Sequence, residues 1–81
     1  MANYKGEIIS KFKSNGYKVK VKYTHYSGEH PVYYVSVWNV DEYAWDIINE
    51  ILDEYGLYQN DHYRENDYEV FDLFDPELNY D

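Results

Sequence analysis

Hydrophobic and polar positions fall into segments of different period along the chain. Between Trp38 and Gly56 (WNVDEYAWDIINEILDEYG) the apolar residues recur at helical spacing. At 100° per residue, Val40, Ala44, Ile47, Ile48, Ile51, Leu52 and Tyr55 share one side. Asn39 followed by Glu42 is a capping-box pattern, and Trp38 with Tyr43 is placed for a hydrophobic staple. Gly56 stands where a left-handed C-terminal cap is expected. Asn3 to Asn15 reads as a shorter amphipathic helix, with Tyr4, Ile8, Ile9 and Phe12 together and Asn15-Gly16 as its stop. The period switches to two in YKVKVKYTH. Here Tyr17, Val19, Val21, Tyr23 and His25 oppose Lys18, Lys20, Lys22 and Thr24, the signature of a strand with one wet face. A turn at 26–31 leads to a second strand, Val32 to Trp38, rich in β-branched and aromatic residues.

Beyond Leu57 the pattern loosens. Tyr58 to His62 reads as loop. Tyr68 to Phe74 (YEVFDLF) fits either a strand or a helix capped by Asn66, and its Tyr, Val and Phe content favours a third strand joining the hairpin. Pro76 to Asp81 reads as a loose tail. The expectation is an α+β fold over 1–81, a single domain of helix, β-hairpin, acidic helix and a further strand or short C-terminal helix. Both helices are expected to cover the same side of the sheet.

Composition adds two anomalies. The net charge of −9 is unevenly spread: residues 1–28 hold six lysines against Glu7, and residues 29–81 hold Arg64 alone against fifteen acids. Such a polarised chain attracts basic partners and repels nucleic acid over most of its surface. Tyrosine is the other excess, at twelve of 81 residues. A domain of this length hides only about 60–65% of its unfolded surface, so several tyrosines are expected outside, where Tyr is a preferred interface residue. With no cysteine, no disulfide can brace the fold. No apolar run suits a signal peptide or a membrane span, which points to the cytoplasm, the host's if the chain is phage-encoded.

Charge makes the central helix unusual. Glu42, Asp46, Glu50 and Glu54 form an i,i+4 row of like charge, with Asp53 beside it, and no Lys or Arg occurs between Lys22 and Arg64. Like charges at that spacing cost a helix a few tenths of a kcal/mol per pair. The row therefore points to a use outside folding. Four residues of helix rise about 6 Å, of the same order as the phosphate spacing along one nucleic-acid strand. Carboxylates so spaced can occupy a basic DNA-binding groove by mimicry. Tyr43 and Trp45, at the edge of the acid face, are candidate aromatic anchors. Asp61, Glu65, Asp67 and Glu69 would extend the footprint.

On DEYAWDIINEILDEYG (Asp41 to Gly56) and ENDYEVFD (Glu65 to Asp72), the chain resembles in style the small acidic inhibitors of host defence made by phages and mobile elements: anti-CRISPR proteins and antirestriction DNA mimics. The resemblance implies a basic, DNA-binding host protein as partner, a nuclease of a defence system such as an RNA-guided nuclease or a restriction enzyme. The alternative is a tyrosine-rich protein–protein adaptor, or an antitoxin-like phage accessory protein, in which the acids only solubilise.

Other chemistries find little footing. Lys18, Lys20 and Lys22 with neighbouring tyrosines have the makings of a phosphate track, but the net charge argues against direct nucleic-acid binding. His25, His30 and His62 lack a metal-ligand frame, the acids of 61–67 do not match a calcium loop, and no serine sits in a nucleophile elbow. The reading is a non-enzyme without catalytic residues, metal or cofactor, acting as monomer or homodimer.

Overall fold

Residues 3–25 and 30–76 are described by the structure, a computed structural model. The order of elements is α1 (Lys5–Lys13), β1 (Val19–Thr24), β2 (Val32–Trp38), α2 (Glu42–Tyr55), β3 (Tyr58–Arg64) and β4 (Tyr68–Phe74). The four strands form one antiparallel sheet in the order β1-β2-β4-β3. This is an α+β domain, with two helices and a four-stranded sheet.

Alternation along β1 and β2 sets the two faces of the sheet. Register aligns Val21, Val35, Phe71 and His62 across all four strands, and Tyr23, Tyr33, Leu73 and Gln59 in the next inward row. These rows carry the core: Val35, Phe71 and Leu73 are fully buried against Ile8 and Phe12 of α1 and Ile48 and Ile51 of α2. Both helices therefore lie on one side, as the apolar faces require. Tyr33 is buried with its hydroxyl accepting from the Tyr4 N–H at 3.1 Å. Burial pushes that hydroxyl up to about 12, since an ionised phenol has no water there.

Two expectations are corrected. Tyr58 to His62 is strand, not loop: the segment forms β3 at the sheet's edge and pairs with β4. Its register shifts between Gln59 and Asp61, so a bulge breaks the period of two, and only His62 is drawn off the surface. The segment Tyr68 to Phe74 is a strand as favoured, placed centrally between β2 and β3.

The second correction concerns the start of α2. Asp41, not Asn39, is its N-cap, and the Asp41 carboxylate accepts from the Ala44 N–H at 3.0 Å. Asn39 instead takes a positive φ of 57°, a conformation Asn tolerates better than most residues. Trp38 belongs to β2 and packs on Tyr68 with ring centroids 4.7 Å apart, while Tyr43 stacks on Tyr17. The anticipated staple gives way to two separate aromatic pairs. At the other end Gly56 adopts φ 65°, and the Leu57 N–H returns to the Leu52 carbonyl at 3.0 Å, closing a left-handed cap. Of the expected 76–81 tail, residues 77–81 lie outside the described residues, as do residues 26–29 of the turn. Among the described residues no helix is long and apolar enough to cross a membrane.

Candidate functional site

Helix α2 presents its acids to two different neighbourhoods, because its other sides are committed. Ala44, Ile47, Ile48 and Ile51 face the core. One flank meets α1: Lys11 Nζ lies 3.3 Å from Glu50 Oε1 and 3.0 Å from Glu54 Oε2. The Glu54 bond comes first among the causes that raise the Lys11 ammonium, and the Lys11 bond in turn lowers the Glu54 carboxyl. The acid row is therefore not free of countercharge, contrary to the local sequence. Its cation comes from α1, which the 39-position separation of Lys11 and Glu50 had hidden.

The same flank is fastened further up by tyrosines. Tyr43 donates to Asn15 Oδ1 at 2.9 Å and stacks on Tyr17. Tyr17 in turn donates to Asp41, the capping residue. That hydrogen bond pushes the Tyr17 hydroxyl up to about 12 and, as the largest cause, holds the Asp41 carboxyl below its ordinary value. Lower down, Tyr55 stacks on Tyr4 at 4.6 Å. Much of the tyrosine excess thus joins helices to one another and to the sheet.

The opposite flank lies over β3 and β4. Trp45 meets His62 edge-on at 4.8 Å and Phe71 at 5.0 Å, and His62 stacks on Phe71. His62 Nε2 is 2.6 Å from Glu69 Oε1, whose side chain is only 14% exposed. Trp45 and Glu69 are accordingly tied into the fold beneath the surface proposed for them from sequence. The His62–Glu69–Trp45 group is a feature sequence reasoning missed, since its members lie in three elements.

Between the two flanks Glu42, Asp46, Asn49 and Asp53 project outward, at i, i+4, i+7 and i+11, and all are exposed. No ion pair holds Glu42, Asp46 or Asp53 among the described residues. Asp61 of β3 and Glu65 and Asp67 of the β3–β4 turn are exposed as well. Of the eleven residues singled out from sequence, six thus form outward acids without a described ion pair. Glu50 and Glu54 are exposed but paired, Tyr43 is 53% exposed, and Trp45 and Glu69 are largely covered.

The far face of the sheet, which carries no helix, is of the other character. Its groove of about 550 Å³ is lined by Lys20, Lys22, Thr24, Tyr34, Ser36, Trp38, Tyr63 and Tyr68. Comparison with known proteins returns no match of any kind, whether family model, curated protein or solved structure.

Proposed function

We propose that this protein binds a basic surface of another protein and blocks it, the target being the DNA-binding cleft of a defence nuclease of the RNA-guided or restriction type. The observation that carries this reading is the outward strip of α2. Glu42, Asp46 and Asp53 stand exposed on a doubly capped helix, with no cation paired to them among the described residues. Their mutual repulsion gives the fold nothing, while a preformed array of negative charge attracts and steers a basic partner. Asp61, Glu65 and Asp67 are further exposed acids, Asp61 on the open face of the sheet beside Asp72 and the other two in the β3–β4 turn. A second reading draws on Tyr43, Tyr58 and Tyr63, the exposed large apolar side chains among the described residues: an aromatic adaptor in which charge is incidental.

Salt and DNA separate the two. In the mimic reading, capture of the partner from bacterial lysate falls steeply as salt rises past the point where a Debye length drops below about 5 Å. Duplex DNA then displaces the protein, and the captured partner is a DNA-binding nuclease whose cleavage is inhibited. Capture that ignores salt and duplex DNA, and that is lost on Tyr43→Ala or Tyr58→Ala, establishes the adaptor instead.

A further inference from the structure

The open face of the sheet joins cations to aromatic rings in a way the sequence pattern did not reveal. Lys20 and Lys22 lie on the edge strand β1 and Lys18 immediately precedes it, and the partners of β1 on this face come from β2. Register sets Lys20 beside Ser36, Val70 and Tyr63 in one row, and Trp38 beside Tyr68 in another. Lys18 Nζ sits 4.7 Å from the centre of the Trp38 ring, and the Trp38 and Tyr68 rings are 4.7 Å apart. The Lys20 row carries no carboxylate, and the Trp38–Tyr68 row ends at Glu65, whose N–H donates to the Tyr68 carbonyl at 2.9 Å, at the edge of the sheet away from the lysines. Asp72 and Asp61 lie in the Lys22–Tyr34 row, two and three strand spacings of about 4.8 Å from the lysine edge.

We infer that this face is a binding site for single-stranded nucleic acid, its phosphates along Lys18, Lys20 and Lys22 and its bases against Trp38, Tyr68 and Tyr63. Charge complementarity selects the occupant. In a chain of net charge −9, Lys20 and Lys22 of β1 and Lys18 just before it, without a described ion pair, are gathered at one edge of a surface that also carries Tyr34, Trp38, Tyr63 and Tyr68, and a ligand that is both anionic and flat satisfies both halves. Stacked bases suit a ring platform of any sequence, and a backbone follows a line of lysines. A duplex offers phosphates but hides its base faces. The acids of α2 do not forbid the site. They lie on the far side of a helix about 10 Å across and of the sheet itself, beyond a Debye length of about 8 Å at physiological ionic strength. The inference uses a face that the proposed function does not, and the two stand or fall separately.

The test is fluorescence anisotropy of a labelled oligothymidylate of eight residues, with a self-complementary duplex of mixed sequence and equal length as control. The single strand binds at least tenfold more tightly than the duplex. Three phosphate contacts at about 0.7 counterions each give a log–log salt slope near −2. Lys18, Lys20 and Lys22→Ala together abolish binding, and Tyr63→Ala weakens it about tenfold. Tyr63 is 42% exposed, so its variant keeps the fold, as a thermal melt verifies; Trp38→Ala is the harsher companion. Glu42, Asp46 and Asp53→Lys leave oligonucleotide binding intact or tighten it. Absence of binding at millimolar protein overturns the inference, as does binding that survives the triple lysine change. Self-association by sedimentation that needs those three lysines, in place of oligonucleotide binding, also overturns it and assigns the face to a second copy.

Discussion

The two acidic flanks of α2 carry the same residue types four positions apart and do different work. Glu50 and Glu54 turn toward α1 and share Lys11. Glu42, Asp46 and Asp53 turn to solvent with no cation assigned among the described residues. A charged row read from sequence is thus two objects in space, one a tie between helices and one an available surface. Residue type and spacing do not distinguish them. What divides them is the direction of each side chain relative to the neighbouring helix.

The largest expected effect tests that division on binding. Glu42, Asp46 and Asp53→Lys weaken partner capture on the order of a hundredfold, measured by surface plasmon resonance on the captured nuclease, while the melting temperature stays level or rises as like-charge repulsion is relieved. A variant that loses capture and stability together breaks the comparison, because the strip would then be structural.

Next in size is the covered flank. Trp45→Ala removes the ring packed on His62 and Phe71 and costs about 2–4 kcal/mol in urea unfolding, somewhat less than a fully buried aromatic because Trp45 is only partly covered. A loss below about 0.5 kcal/mol would return Trp45 to the surface role first read for it. Asp41→Ala removes the cap of α2 and the acceptor of Tyr17, and about 0.5–2 kcal/mol with them. Tyr17→Phe, which spares the cap, costs less.

The smallest effects belong to the paired flank. Lys11→Ala lowers the melting temperature least of these changes, since its bridges are solvent-exposed, and salt shrinks that loss. Acid titration reads the same contacts. The Asp41 and Glu54 carboxyls are lowered in the fold, so their contribution is whole above their unfolded values. It fades as pH falls through the folded ones, and stability should drop below about pH 4. The Tyr17 and Tyr33 hydroxyls are raised to about 12. Their contribution is whole below about pH 10 and is lost as pH climbs through 12. Stability by circular dichroism should be flat between these limits as far as these four groups govern it.

Much of this architecture was legible in residue order. Val32 to Trp38 follows from its β-branched and aromatic content and the apolar face of α2 from its period, and Gly56 marks the helix end. Strand β3 was illegible for a physical reason: an edge strand touched by α2 only through Trp45 buries none of its seven residues and half-covers His62 alone, and its bulge erases what alternation remains. Lys11 was invisible as a countercharge because the pair closes across two helices. Trp45 and Glu69 are half-buried, and this cover is visible only once β3 and β4 are known to lie against them. The lysine strand was read correctly as wet, but its aromatic company comes from β2, β3 and β4, and only register brings it together.

The account rests on the outward strip being the docking surface, and one measurement addresses it most directly: affinity for the captured nuclease of two charge-reversed proteins, Glu42/Asp46/Asp53→Lys and Glu50/Glu54→Lys, across a salt series. The strip variant should lose binding and its salt dependence, and the paired-flank variant should keep most of both. Equal affinity of the strip variant and the unaltered protein at every salt concentration would contradict the account.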